Sequence, residues 1–161
     1  MNSDLSNLLL IVTSHLAKNN QTVATAESCT GGLLSSELTS LSGSSQWFAY
    51  GWVVYSNIAK QRLLNVSCDT LSKYGAVSET VVLEMAKNAL HSANSNYALS
   101  ISGIAGPTGG SLDKPVGTVC FGIATPYQQY AQTIVFSGSR DEVRKKSVQY
   151  ALNLLNQFLY V

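Results

Sequence analysis

The stretch TVATAESCTGGLL at residues 22–34 decides how this chain is read. Residues 22–27 are small or β-branched up to the closing Glu27, which suits a short, tightly packed strand. Leu33, Leu34, Leu38 and Leu41 then fall on one helical stripe, with Thr30 placed to cap the helix. A strand passes into a helix through Ser28-Cys29-Thr30-Gly31-Gly32. Small residues at such a turn let backbone N–H groups approach a ligand, and a helix start favours an anion such as phosphate. The spacing is neither a Walker loop nor GxGxxG, so by spacing alone a helix cap with close glycine packing is the better account. Cys29 at a helix start invites a lowered thiol pKa. With no histidine beside it, Cys29 reads as lining rather than as a nucleophile.

Outward from this unit, helices and strands alternate. Leu5, Leu8, Leu9, Val12, Leu16 and Ala17 give an amphipathic helix over 4–18. A tight loop, Ser42-Gly43-Ser44-Ser45, precedes an aromatic and β-branched strand at 47–55. Ser56 caps a short helix over about 57–65, and Gly75 ends a further small helical segment. Ser78 caps a stronger helix carrying Val81, Val82, Met85, Ala86, Ala89 and Ala93. A strand at 97–102, a glycine-rich loop at 103–114 and strands at 116–124 and 129–136 follow. The last helix opens on a capping box, Ser139 with Glu142, and buries Val143, Ser147, Tyr150, Ala151, Leu154, Leu155 and Phe158. The pattern is that of one α/β layered domain, residues 1–161, with a mixed sheet and a late hairpin.

Composition narrows the function. Net charge is +1, so no global field recruits nucleic acid or a membrane surface. Hydrophobic residues reach 45% against 12% charged, apolar enough to expect a second subunit over part of the surface. Cys29, Cys68 and Cys120 form no CxxC pair, and His15 and His91 lie far apart. No disulfide framework, metal site or Ser-His-Asp triad is therefore expected, and no cofactor. Free cysteines and the lack of a basic, apolar leader fit a cytoplasmic protein.

Four places could carry chemistry. The first is Glu27–Gly32. The second runs from Gly43-Ser44-Ser45 through Tyr55-Ser56-Asn57 to Lys60. A serine needs a base, and a lysine serves if its surroundings keep it neutral, with a tyrosine able to relay the proton. Tyr55 at a strand end and Lys60 one turn into a helix suit the carboxyl edge of the sheet. A loop serine and a solvated lysine are the plainer alternative. Tyr55 and Lys60 are five apart rather than four, and the glycine fingerprint is missing, so a short-chain dehydrogenase is disfavoured. The third place is the glycine-rich loop 102–110, whose backbone can wrap a ligand. The fourth is Arg140, with Arg144 one turn on. Four of the ten basic residues fall within 140–146, as either a solvated helix face or an anion site.

TAESCTGG at 25–32, GSS at 43–45, YSN at 55–57, GAVSE at 75–79, SGIAGPTGG at 102–110, KPVGTV at 114–119 and FSG-R at 136–140 resemble, in order and spacing, the CinA C-terminal domain family. The likeness spans roughly residues 5–160. It implies a three-layer α/β/α fold, frequently dimeric, and deamidation of nicotinamide mononucleotide to the nicotinate nucleotide and ammonia in pyridine-nucleotide recycling. It carries the nucleophile to Ser45, the tyrosine to Tyr55, the lysine to Lys60 and an arginine to Arg140. Tyr50 stands where some members have arginine. Substrate contacts are expected from Ser28, Thr30, Gly31, Gly32, Asn57, Gly106, Gly109 and Arg140, with the phosphate at the Gly31-Gly32 helix start or against Arg140. Two rival readings are a non-catalytic binding module and an amidase for another cationic or phosphorylated amide. Nothing basic or interleaved with aromatics supports nucleic-acid contact.

Overall fold

The computed structural model of the chain describes residues 3–160. A five-stranded mixed sheet has the order β2-β1-β3-β4-β5. Strands β1 (Val23–Glu27), β2 (Phe48–Val53) and β3 (Tyr97–Gly103) run parallel, while β4 (Thr118–Ala124) and β5 (Gln129–Val135) add an antiparallel hairpin. Helices α1 (Ser3–Lys18), α2 (Leu33–Leu38) and α6 (Arg140–Phe158) share one face, packing Leu9, Val12, Leu16, Leu34, Leu38, Leu152 and Leu155 against Val23, Leu99, Ile101, Phe121 and Ile123. Helices α3 (Asn57–Leu64), α4 (Cys68–Tyr74) and α5 (Glu79–Ala93) cover the other. The expected three-layer α/β/α architecture is present.

The α5 face of the sheet is built from small residues, Ala24, Ala26, Ala98 and Ala124. They let the helix settle close. A Cβ on Gly122 would lie 2.6 Å from the Val82 carbonyl oxygen, and Ser100 Oγ donates to that same carbonyl at 2.6 Å. Ser78 and Ser139 cap α5 and α6 as their sequences predict, and the Ser139–Glu142 capping box is complete. Helix α2 departs from expectation. Its N-cap is Gly32, in the left-handed region at φ 97°, with no side-chain cap. Thr30 does not cap it. The capping task falls to a residue upstream.

The connection leaving β1 enters α2 on one face of the sheet, and that leaving β2 enters α3 on the other. Adjacent parallel strands whose connections diverge leave a crevice between their carboxyl ends, where open α/β sheets bind ligands. Val54 N–H donates to the Glu27 carbonyl at 2.8 Å and Ser28 N–H to the Ile101 carbonyl at 2.9 Å, so the ladder fixes the backbone up to the crevice.

Candidate active site

Ser28 emerges from β1 with 8% of its surface exposed. Lys60 reaches it from the opposite layer. Helix α3 starts at the Ser56 cap, which accepts from Ala59 N–H at 3.1 Å, and sets Lys60 one turn in, facing the sheet. Its side chain is 1% exposed. Lys60 Nζ lies 3.0 Å from Ser28 Oγ and donates to the Val54 carbonyl at 2.9 Å. Burial disfavours the ammonium form and lowers the Lys60 pKa to about 8, against a weaker opposing effect of Cys29. Among the described residues no carboxylate pairs with Lys60, and a buried amine touching a serine hydroxyl has the chemistry to serve as a base beside a nucleophile.

Ser45 is elsewhere. It sits on the single 3-10 turn Ser44–Gln46, before β2 begins, and is exposed. Lys60 follows the far end of the same strand. The six residues of β2 separate the two positions by about 17 Å of extended chain. The expectation of Ser45 beside Tyr55 and Lys60 is thus corrected by the direction of the strand between them. Ser44 shares the turn and is equally remote.

Tyr55 does lie at the carboxyl edge, where its hydroxyl is engaged by an arginine. Its hydroxyl accepts from Arg140 Nη2 at 3.0 Å, and among the described residues no hydrogen bond joins it to Ser28 or Lys60. Arg140 Nη1 donates to the Gly106 carbonyl at 2.9 Å. One guanidinium therefore ties the start of α6 to the strand end of β2 and to the glycine-rich loop. Gly106 is buried with φ 82°, and a Cβ there would meet Val116 Cγ1 at 2.4 Å, so the loop is closed down at this point. Gly109 (φ 93°) and Asn57 are exposed around the same edge.

The turn after Ser28 is held by two charged side chains. Glu27 is fully buried, and its carboxylate accepts from the N–H groups of Gly32, Leu34 and Ser35 at 3.1, 3.0 and 2.8 Å and from Ser35 Oγ at 2.7 Å. Three N-terminal donors of α2 are thus given to an internal anion, and Leu33 N–H goes to the Thr30 carbonyl at 3.2 Å. At Gly31-Gly32, one of the two places expected for a phosphate, Gly32 N–H is given to Glu27 and Gly31 N–H to the Ser28 carbonyl at 3.0 Å. From α6, Arg144 Nε donates to the Cys29 carbonyl at 3.2 Å and Nη2 to the Thr30 carbonyl at 2.9 Å. Cys29 is buried, and desolvation pushes its thiol up to about 11, the reverse of the expected lowering. It remains a neutral lining residue.

The basic cluster at 140–146 resolves residue by residue. Arg140 and Arg144 hold site backbone, Lys146 donates to the Ser137 carbonyl, and Lys145 pairs with Asp141 on the surface. Sequence reading did not give Glu27 its capping role, nor Ser28 the lysine. The available signal was a carboxylate at a strand end followed, past Gly31-Gly32, by a short helix. Two hollows flank the β4–β5 turn, against His91 on one side and Gln21 on the other, at the opposite end of the sheet and without any residue of this cluster.

Comparison with known proteins agrees with the architecture. The nicotinamide-nucleotide amidohydrolase PncC of Escherichia coli K12 is 50% identical over 159 residues, covering 98% of this chain and 96% of its own. A putative competence-damage inducible protein of Thermoanaerobacter sp. X514 is 46% identical over 149 residues, covering 92% of this chain and 36% of its own. The crystal structure of the competence/damage inducible protein CihA from Agrobacterium tumefaciens superposes with a TM-score of 0.96 at 36% identity, covering 100% of this chain and 98% of that one. The CinA C-terminal domain model matches residues 6–159, and with these likenesses the chain belongs to that family.

Proposed function

We propose that this chain is a nicotinamide-nucleotide amidohydrolase in which Ser28 is the nucleophile and Lys60 the general base. The observation that carries the reading is the buried Lys60 amine, its pKa lowered to about 8, lying 3.0 Å from Ser28 Oγ. The amidohydrolase relative at 50% identity supports the substrate.

Neutral Lys60 takes the Ser28 proton as Oγ bonds to the carboxamide carbon, and the carbonyl π electrons move to oxygen. Backbone N–H groups of the turn after Ser28 receive that oxyanion. When the carbonyl re-forms, the C–N bond breaks. Lys60 returns its proton to the departing nitrogen, which leaves as ammonia. Water then attacks the ester, giving a proton to Lys60, which passes it to Ser28 Oγ as the acid departs. The cationic pyridinium withdraws electrons and makes its carboxamide easier to attack than an ordinary amide. Because Glu27 fills the α2 start, the phosphate falls to Arg140, whose guanidinium is exposed at the crevice rim and has N–H groups beyond the two engaged with Gly106 and Tyr55. Such a reaction returns a nicotinamide nucleotide to pyridine-nucleotide synthesis. Exposed Tyr50, Val53, Ile58 and Leu63 on β2 and α3 support a second copy on this edge of the sheet.

The direct test is ammonia release from nicotinamide mononucleotide by the purified protein, with quenched samples weighed for a nicotinoyl adduct on the Ser28 peptide. No turnover of this substrate alongside turnover of another phosphorylated amide would move the assignment to a different amidase.

A further inference from the structure

Thr30 is fully buried, yet its Oγ1 has no hydrogen-bond partner, and among the described residues its backbone N–H meets no protein acceptor. Buried backbone donors are seldom left open. Two open polar groups on one buried residue, two positions from Ser28, point to a ligand that completes them. The neighbouring Gly31 N–H is not available, since it donates to the Ser28 carbonyl at 3.0 Å.

The direction of the Thr30 N–H is fixed from outside the turn. It shares a planar peptide with the Cys29 carbonyl, and in a trans peptide the two point oppositely. Arg144 Nε holds that carbonyl toward α6, and Nη2 holds the next one, that of Thr30, the same way. The Thr30 N–H is left facing away from the α6 layer, on the side from which Lys60 enters. Glu27 anchors the other end of the turn by its donors. We propose that Arg144 is a positioning residue for catalysis: by gripping the Cys29 and Thr30 carbonyls from α6 it aims the Thr30 N–H at the oxyanion formed on Ser28. This rests on Ser28 being the nucleophile.

The grip acts on a charge that exists only during reaction, so its loss should lower kcat and spare KM. The experiment measures kcat, KM and the pH-rate midpoint on nicotinamide mononucleotide for Arg144→Ala, Arg144→Lys and Ser28→Ala, with melting temperatures alongside. It also measures inhibition by 3-pyridineboronic acid, whose tetrahedral serine adduct needs the oxyanion donor. Arg144→Ala should lose about 100-fold in kcat, the size of effect a small misplacement produces. KM and the pH midpoint should stay near wild type, and boronate affinity should fall with kcat. Arg144→Lys, which can still reach one carbonyl, should recover part of the rate, and it serves if the alanine variant does not fold. Near wild-type kcat in a folded Arg144 variant, or equal losses in kcat, KM and boronate affinity, overturns the positioning role. Retained turnover in Ser28→Ala overturns the nucleophile and this proposal with it. An inactive Ser28→Ala beside a fully active Arg144→Ala overturns the positioning role alone.

Discussion

Ser28 and Ser45 stand at opposite ends of neighbouring parallel strands, and their surroundings could hardly differ more. Ser28 leaves the carboxyl end of β1, is nearly buried, and shares its hydroxyl with a desolvated lysine. Ser45 enters the amino end of β2 on an exposed turn. Both are followed by residues that looked promising in sequence. Only the first has a base within reach, a backbone held on both sides by charged groups, and a position where two connections diverge. A serine's chemistry is set by what the fold brings to it, and the carboxyl edge of a parallel sheet is where the fold brings most.

Removing each hydroxyl in turn separates the two serines. Ser28→Ala should lose at least about 1,000-fold in turnover, as losing a covalent nucleophile does. Ser45→Ala should remain near wild type in the same ammonia-release assay. The reverse pattern would return the nucleophile to the amino edge and leave the Lys60 contact a structural one.

Lys60 comes next. Its folded pKa, lowered to about 8 by burial, predicts a rate that climbs with pH and levels above that value as the amine becomes neutral. The same shift has a sign for stability. Between about 8 and the free value of 10.5 the unfolded chain holds the proton more tightly, so stability should rise with pH across that window. Lys60→Arg should lose about 100-fold or more in rate, because a guanidinium stays charged. A flat pH-rate profile with an active Lys60→Arg enzyme would show that the position needs only a cation.

Arg140 tests the rim of the crevice. Arg140→Ala removes the tie between Tyr55 and Gly106 and the proposed phosphate contact, and should cost roughly 10- to 100-fold in kcat/KM on the mononucleotide. The dephosphorylated riboside should already be poor for the wild type and change little with the substitution. Comparing two enzymes on two substrates measures that coupling directly. Equal losses on both would place Arg140 at the carboxamide instead.

The sequence was readable wherever structure is local. The cap serines at 56, 78 and 139, the stripe along α6 and the split hairpin all appear close to where periodicity and capping put them. It misled where contacts are long. Ser45 lies ten positions from Tyr55 in sequence, but the intervening strand carries the chain across the sheet, while Ser28 and Lys60 meet across 32 positions. The carboxylate of Glu27 folds back over the turn to cap α2, and no helix-start pattern that looks only at the flanking serine or threonine detects it. The sequence leaves Arg144 between an anion site and a solvated helix face, because its backbone targets lie 114 and 115 positions away.

At Thr30 the two ends of the sheet differ in stability rather than in rate. A fully buried hydroxyl without a partner is destabilising, by about 1–3 kcal/mol relative to a satisfied one. Replacing it by a methyl of similar shape removes that penalty. Thr30→Val should therefore melt no lower than the wild type, and on this argument higher. At Ser45 an exposed hydroxyl carries no such penalty, and Ser45→Ala should leave the melting temperature unchanged. If the Thr30 hydroxyl is kept for substrate, the stability gained must be offset by weaker binding, seen as a raised KM with kcat retained, since the backbone N–H stays in place. A clear loss of stability in Thr30→Val would mean that the hydroxyl is satisfied within the folded protein, and the case for a ligand-completed turn would then rest on the backbone N–H alone.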